Sequence, residues 1–185
     1  MLIKEANRLS HIQEYYFSKK LAEIARLNNE GYNIINLGIG SPDLPPDKRV
    51  TDQLLKTVSV STNHGYQSYR GIDELRQAMA DWYQRTYNVK LDPKNEILPL
   101  MGSKEGIMHI SLAFLNEEDK VLVPDPGYLA YGAAAKMAGA IPIRYPLIEP
   151  GWEPDWQFLE SLDWSQIKIW WINYPHMPTG TVTTT

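Results

Sequence analysis

The fold is decided by residues 167–180, which read Ile167-Lys168-Ile169-Trp170-Trp171-Ile172 and then Asn173-Tyr174-Pro175-His176-Met177-Pro178-Thr179-Gly180. The first part is short, apolar and rich in β-branched and aromatic side chains, which predicts a buried strand. The prolines and the glycine of the second part fix the backbone and end that strand in a rigid polar loop. Because open α/β sheets bind their ligands at the carboxyl ends of strands, we expect residues 173–180 to form a ligand-binding loop.

The composition is that of an ordinary soluble globular protein, with 43% hydrophobic and 22% charged residues in 185 residues, enough for one domain. A net charge of −4 without a basic run argues against a nucleic-acid partner. No apolar run is long enough to span a membrane and the amino-terminal residues lack a signal-peptide core, so we expect a cytoplasmic protein with no membrane partner. The absence of cysteine excludes disulfides, thiolate catalysis and zinc–thiolate sites.

The remainder of the chain alternates helical and strand patterns. The predicted helices cover residues 11–30, 50–60, 72–90, 104–115, 125–139 and 154–162, and the predicted strands cover 96–101, 120–123, 141–145 and 167–172. Ser10 is the expected cap of the first helix and Gly31 its left-handed terminator, while Asp125 and Pro126 have the residue types of a helix start. Alternating strands and helices predict an α/β fold with a mainly parallel sheet.

Two glycine-containing segments invite a nucleotide-binding interpretation, and both fail it. A dinucleotide fingerprint starting at Gly38 would need glycine at position 43, which is Asp43, and the neighbouring prolines forbid the helix that should follow. A Walker A loop at Gly102 is excluded because position 97 is isoleucine and Glu105 replaces the required Ser or Thr.

The segment Gly102-Ser103-Lys104 lies where a predicted strand leads into a predicted helix. Ser103 is a candidate N-cap, and the first N–H groups of the helix, with the helix dipole, form a typical phosphate site to which Lys104 adds a charge. A plain capped helix start explains the same residues, and spacing alone favours that alternative. The four histidines show no metal-ligand spacing, so residue-level reasoning ends at an α/β domain with a candidate anion site.

Five blocks in a fixed order resemble the class I/II, fold-type I aminotransferases that use pyridoxal 5'-phosphate (PLP). They are the Leu-x-x-Gly-x-Pro-Asp-like segment at residues 37–43, the Tyr-x-x-x-x-Gly…Leu-Arg-x-Ala-like block at 66–78, the phosphate-binding turn at 102–106, the Pro-x-Tyr-x-x-Tyr block at 126–131 and the Asn-Pro-Thr-Gly-like loop at 177–180. Each block is weak alone, but together they span nearly the whole chain. The turn at 102–106 and the early Tyr15 most resemble the LL-diaminopimelate/aspartate aminotransferase branch.

The resemblance implies a PLP-dependent transfer of an amino group between an amino acid and a 2-oxo acid. It implies that the N–H groups of Gly102, Ser103 and Lys104 hold the cofactor phosphate. It also implies that Tyr128 stacks on the pyridine ring.

Three residues nearer the amino terminus acquire roles in the same way. Gly40 is expected beside the substrate carboxylate, where the missing side chain permits close approach. Tyr66 is expected to reach the phosphate bound by a neighbouring subunit, so a homodimer is part of the hypothesis. Tyr15 is expected near the distal end of the substrate.

Met177 departs from the family pattern, which has asparagine at this position. That asparagine donates a hydrogen bond to the phenolic oxygen of the cofactor ring and tunes its electronics, whereas methionine has no N–H to donate. Either a neighbour supplies the bond, Asn173 being a candidate, or the cofactor is tuned differently.

The family's Schiff-base lysine, its pyridine-pairing aspartate and its carboxylate-binding arginine all follow the Asn-Pro-Thr-Gly loop, so they are expected beyond Thr185. We therefore expect the N-terminal portion of an aminotransferase, inactive alone, with residues 1–45 as an N-terminal helix and arm and residues 46–185 as the first part of the PLP-binding large domain. The strand at 96–101 would lack neighbours, so the isolated chain is expected to be unstable or to associate. The alternatives are a carbon–sulfur lyase or synthase of the same fold, and a non-catalytic degenerate aminotransferase-like domain.

Overall fold

The computed structural model describes residues 3–11, 15–38, 40 and 42–183, without the side chains of Arg8 and His11. The chain forms two compact units, one made of Met1–Gln13 and Leu100–Thr185 and the other of Glu14–Pro99. We call them the sheet unit and the helical unit. The predicted boundary between residues 45 and 46 concerns the domains of a complete enzyme and stays a prediction.

The sheet unit is built on a four-stranded sheet of order β3-β2-β1-β4. The strands are β1 (Lys120–Asp125), β2 (Ile141–Ile148), β3 (Glu153–Pro154) and β4 (Ile167–Trp170). β1 runs parallel to both β2 and β4, and only the short β3 is antiparallel to its neighbour β2. The helices of this unit are α4 (Ser103–Phe114), α5 (Leu129–Met137) and α6 (Trp156–Glu160), with 3-10 turns at Asn7–His11 and Trp164–Gln166. The prediction of an α/β fold with a mainly parallel sheet flanked by helices is therefore confirmed.

The core of the sheet unit lies on both faces of β1, because successive side chains of a strand point to opposite faces. Val121 and Val123 pack in a cluster with α4 and α5, while Leu122 packs in a second cluster with Tyr145 of β2 and Leu159 of α6. Burying an aliphatic side chain of this size contributes about 1.5–3 kcal/mol. β1 is thus a central strand of the sheet, and its buried side chains contribute to both clusters of the core.

The helical unit contains α1 (Tyr16–Asn29), α2 (Lys48–Val58), α3 (Asp73–Tyr87) and a 3-10 turn at Ser61–His64. The predicted terminator of the first helix is confirmed: Gly31 has φ +91°, and the Tyr32 N–H donates to the Leu27 carbonyl at 3.1 Å. The predicted cap at Ser10 is wrong, because Ser10 lies inside the 3-10 turn Asn7–His11, where its hydroxyl donates to the Asn7 carbonyl. The predicted helical residues 12–14 lie outside the described residues.

The predicted strand at residues 96–101 is wrong. Residues 97–100 form neither helix nor strand, because no described segment pairs with them and a strand needs a hydrogen-bonded neighbour. The strand at 167–172 was predicted to be buried, yet it is half-buried because β4 is an edge strand of the sheet.

Two predicted helices begin later than expected. Asp125 does not cap a helix, because it still pairs with Pro146 in the parallel ladder and α5 begins only at Leu129. The turn between them depends on Gly127, since a Cβ there would lie 2.2 Å from the Pro124 carbonyl oxygen. Pro154 likewise belongs to β3, and α6 follows with the Asp155 carboxylate accepting from the Phe158 N–H at 3.0 Å.

In the described part of the chain, none of the helices has both the length and the apolar character needed to cross a bilayer.

Candidate functional site

Three segments of the sheet unit come together at the carboxyl ends of β1 and β4, which lie at one edge of the sheet because the two strands are parallel. They are the start of α4, the turn 126–128 that follows β1, and the loop 173–180 that follows β4. The Lys104 Nζ lies 5.9 Å from the ring centroid of Tyr128, which joins the first two segments. The Pro126 carbonyl opposes the desolvation that lowers the pKa of His176, which relates the turn to the loop. This edge is where an α/β sheet is expected to bind a ligand.

The start of α4 has the geometry of an anion site. Gly102 precedes the helix with φ +98° and ψ 157°, a conformation that favours glycine, and no described atom lies within 4 Å of where its Cβ would be. Ser103 is the first helical residue and its side chain caps nothing, so the predicted N-cap role of Ser103 is wrong. Gly102 is therefore uncrowded, and the N–H groups at the start of the helix that follows it lack intrahelical acceptors.

The Glu105 carboxylate binds the backbone just before this helix start. The Glu105 Oε2 accepts from the Met101 N–H at 2.5 Å, whereas in a capping box the side chain at this helical position would accept from the N–H of the N-cap residue, here Gly102. The bond uses a donor that precedes Gly102. It leaves the N–H groups of Gly102 and Ser103 for an anion.

Tyr128 is half-buried and forms the N-terminal boundary of α5. Its ring meets the Tyr131 ring edge-to-face at 5.6 Å, and Tyr131 stacks on Trp171 with centroids 4.9 Å apart and planes 13° apart. The Trp171 carbonyl in turn accepts from the Tyr145 hydroxyl at 2.9 Å, and desolvation raises the pKa of Tyr145 to about 12. Tyr128 is thus backed by a column of neutral aromatic side chains, which suits it to pack against a planar ring.

The loop 173–180 is held by its own hydrogen bonds. The Asn173 Oδ1 accepts from the Met177 N–H at 3.0 Å, so this amide group is oriented and its Nδ2 is the remaining donor. Met177 lies at the outer side of the loop, with 54% of its surface exposed. The loop therefore offers a thioether at Met177, which has no N–H to donate, and a remaining amide donor at Asn173.

The residue that sequence reasoning missed is His176, which is only 2% exposed. Its Nδ1 lies 2.8 Å from the Thr179 hydroxyl, and its ring lies 5.8 Å from that of Tyr174. Desolvation lowers the pKa of His176, and the Pro126 carbonyl acts in the opposite direction because it favours the charged ring. That carbonyl does not complete a hydrogen bond of ordinary geometry with Nε2, which has no such partner among the described residues. In the sequence, only the position of His176 between Pro175 and Pro178 could have drawn attention to it.

The other predicted site residues belong to the helical unit. Tyr66 is fully exposed, Tyr15 is about half-exposed, and Gly40 is exposed with open space around its Cβ position. Their roles toward a neighbouring cofactor or a substrate stay predictions.

Comparison with known proteins agrees with this geometry. The family model described as "Aminotransferase class I and II" matches residues 32–185. The chain is 42% identical to an LL-diaminopimelate aminotransferase from Moorella thermoacetica and 37% identical to one from Halothermothrix orenii, in each case over 97% of this chain and 46% of the relative. It thus spans about half the length of these curated relatives.

Among solved structures, apo-BacF from Bacillus subtilis superposes with a TM-score of 0.90 at 32% identity, over 100% of this chain and 47% of that one. The matched residues 32–185 include the start of α4, Tyr128 and the loop 173–180. The chain therefore belongs to the class I and II aminotransferases, a family of PLP-dependent transferases.

Proposed function

We propose that this chain supplies the phosphate- and ring-binding part of a PLP-dependent aminotransferase that acts on an amino acid and a 2-oxo acid. The observation that carries the proposal is the meeting of an anion-binding helix start with the ring of Tyr128, 5.9 Å from the Lys104 Nζ, at the carboxyl edge of a parallel sheet. The family and the named relatives support the same activity.

The residues at this edge fit the cofactor by chemical type. The N–H groups of Gly102, Ser103 and Lys104 would hold the phosphate, and Tyr128 would pack on the pyridine ring. When bound, PLP supplies an electron sink that permits amino-group transfer. The Nδ2 of Asn173 is the donor that we propose for the phenolic oxygen, because Met177 offers none and the Asn173 Oδ1 is already engaged.

We also propose that the chain does not transaminate by itself. Covalent PLP chemistry needs an activated lysine amine. The lysines Lys104, Lys120, Lys136 and Lys168 do not lie in the family's lysine motif. In the complete enzyme, a homodimer would place Tyr66 at the partner's phosphate, with Gly40 and Tyr15 toward the substrate. A cytoplasmic location remains a prediction.

The proposal can be tested by titrating the 185-residue chain with PLP and following its absorbance and the tryptophan emission. Tyr128→Leu should weaken reversible binding by about tenfold, the upper range for losing one ring–ring contact. Tyr87→Leu, an exposed tyrosine of the helical unit, is the matched control and should leave the affinity unchanged. Equal affinities of both variants and the wild type would contradict the assigned site.

Borohydride reduction followed by intact mass measurement tests the second part of the proposal. We expect no stoichiometric adduct on a single lysine. A stoichiometric adduct would show that the chain holds its own reactive amine, and the modified lysine would replace the assignment made here.

Met177 favours one further candidate, a non-catalytic degenerate domain that binds phosphate-bearing ligands. The side chain is exposed on the candidate cofactor loop and has no donor for the ring oxygen. The coding sequence beyond Thr185 separates the two candidates: a Ser-x-x-Lys-type segment supports the enzyme, and its absence supports the degenerate domain. For a complete enzyme, conversion of an amino acid in the presence of a 2-oxo acid, without release of a thiol, separates a transaminase from a carbon–sulfur lyase.

A further inference from the structure

We propose that His176 is a positioning residue, which fixes the loop 173–181 and through it the place of Asn173 and Met177 beside Tyr128; this inference rests on the proposed function. Both the backbone and the side chain of His176 bond to residues 179–181.

His176 closes the loop through hydrogen bonds of its backbone and of its side chain. The His176 N–H donates to the Thr181 carbonyl at 2.7 Å, and the His176 carbonyl accepts from the Gly180 N–H at 2.6 Å. The side chain adds a third bond, since its Nδ1 lies 2.8 Å from the Thr179 hydroxyl. One residue therefore closes a loop of six residues through three separate hydrogen bonds.

The residues of the loop differ in burial. His176 is buried, whereas Met177, its neighbour, is more than half-exposed and Asn173 is half-buried. The Met177 N–H, which orients the Asn173 amide, follows directly after the buried ring. Displacement of the ring would therefore release the bond that sets the direction of the Asn173 Nδ2.

His176 also relates the loop to the turn that carries Tyr128. The Pro126 carbonyl opposes the desolvation that lowers the pKa of His176 without completing a hydrogen bond to Nε2, and Pro126 lies two residues before Tyr128. On the other side, the ring lies next to that of Tyr174, whose hydroxyl donates to the Trp152 carbonyl at 2.7 Å. His176 thus lies between the ring-binding turn and a loop segment that is fixed to the sheet unit.

A buried ring nitrogen without a partner is costly, because the group has lost water and gained no bond. A hydrocarbon of similar size would fill the same space without that cost. The imidazole is therefore better explained by the bond that its other nitrogen makes to Thr179 than by packing alone.

Two substitutions separate the hydrogen bond from the packing. His176→Phe keeps an aromatic ring and removes the bond to Thr179. His176→Asn loses most of the ring but keeps a polar atom on Cγ, where Nδ1 stands, and so can restore the bond. Thr179→Val removes the same bond from the other side, together with the two bonds that join the Thr179 hydroxyl to the backbone N–H and the hydroxyl of Thr181. His109→Asn, at an exposed histidine of α4, is the control for loss of an imidazole.

The first measurement is amide hydrogen exchange in the loop, which needs no cofactor. We expect His176→Phe and Thr179→Val to raise exchange at Met177 and Gly180 by about tenfold or more, since local opening sets these rates. His176→Asn and His109→Asn should stay within about threefold of the wild type. The double variant His176→Phe/Thr179→Val should add nothing to Thr179→Val alone, because that variant has already lost the bond between the two side chains. Equal effects of His176→Phe and His176→Asn would overturn the proposal in favour of ring packing.

The second measurement is PLP affinity on the same variants. His176→Phe should weaken binding by about tenfold and His176→Asn should restore it to within about threefold, because the loop holds the proposed donor. Raised loop exchange with unchanged affinity would show that the loop is not part of the site, and would overturn the positioning role. Failure of the wild type to bind PLP would instead refute the proposed function, and the exchange data alone would then decide whether His176 fixes the loop.

Discussion

The two units of this chain have equally good helix signals but very different interiors. In the sheet unit, β1 is covered on both faces and Leu122 is 0% exposed. In the helical unit, only Arg76 and Ala80 are buried among the described residues. Local sequence signals thus determine where helices form, whereas burial of an apolar face determines how stable the helices are.

α2 shows the difference within one helix. Its start is capped by the Asp47 carboxylate, which accepts from the Arg49 N–H at 2.8 Å. Its apolar side chains Val50, Leu54, Leu55 and Val58 are nevertheless all more than half-exposed. The helix thus has a complete local signal and an uncovered apolar face.

The largest expected effect is that of shortening one leucine in each unit. Leu122→Ala should lower the free energy of unfolding by about 2–5 kcal/mol, because it opens a cavity in the core beside Tyr145. Leu54→Ala, at a side chain 66% exposed in α2, should change it by less than about 0.5 kcal/mol. Urea unfolding measures both, and similar losses would show that α2 is covered in solution.

A second prediction concerns the order in which the units unfold. Five of the six tryptophans (Trp152, Trp156, Trp164, Trp170 and Trp171) lie in the sheet unit, and Trp82 alone lies in the helical unit. The difference in emission between the wild type and Trp82→Phe reports the helical unit, and the emission of Trp82→Phe itself reports the sheet unit. We expect the helical unit to unfold at a lower urea concentration, because it has little core. Coincident, cooperative transitions of a monomeric chain would contradict this and also the expected instability or association of the isolated chain.

A smaller effect is expected from removing the same type of helix cap in each unit. Asp155 in the sheet unit and Asp47 in the helical unit each accept from a backbone N–H at the start of a helix. Asp155→Ala should cost about 1 kcal/mol in the unfolding of the sheet unit. Asp47→Ala should reduce the helicity measured by circular dichroism and leave the unfolding transition of the sheet unit unchanged. If both variants destabilised both units equally, the two units would not differ in stability as proposed.

The smallest effect is a pH dependence confined to the sheet unit. The pKa of His176 in the folded chain lies below its ordinary value of 6.5, because the ring is desolvated. As the pH falls below about 6.5, the unfolded chain takes up the proton first, so this contribution to stability is present above that pH and is lost toward the lowered pKa. Urea midpoints between pH 8 and 5 should show the loss in the wild type and in His109→Asn, but not in His176→Asn.

The sequence sufficed where the local pattern and the tertiary structure agree. The alternation that predicted the parallel sheet, the terminator at Gly31 and the helix start after Gly102 are all confirmed. It misled at Asp125, where a typical helix-start dipeptide still belongs to the ladder of β1. It also misled at residues 96–101, which were expected to lack neighbours and for that reason do not form the predicted strand. These errors have one cause, since pairing between distant segments is not written in a local pattern.

The candidate site could be predicted only in part from the sequence. The helix start and Tyr128 could be proposed from residue types and a family resemblance, because each belongs to a continuous block, and their roles toward a cofactor stay predictions. His176 could not be assigned, because its importance lies in burial and in contacts to Thr179 that only the folded loop creates. Whether Asn173 replaces the missing donor at position 177 is a question of side-chain direction, which a sequence does not contain.

The stack of Tyr131 on Trp171 has an optical consequence. Trp171 is one ring removed from Tyr128, through contacts of 4.9 and 5.6 Å. A ligand that absorbs near-ultraviolet light and binds over Tyr128 would lie within short range of an emitting indole and would receive its excitation energy. Trp171 is therefore a natural energy donor for this site, and Trp171→Phe should reduce the ligand-dependent quenching, while Trp170 and the other indoles of the sheet unit retain part of it.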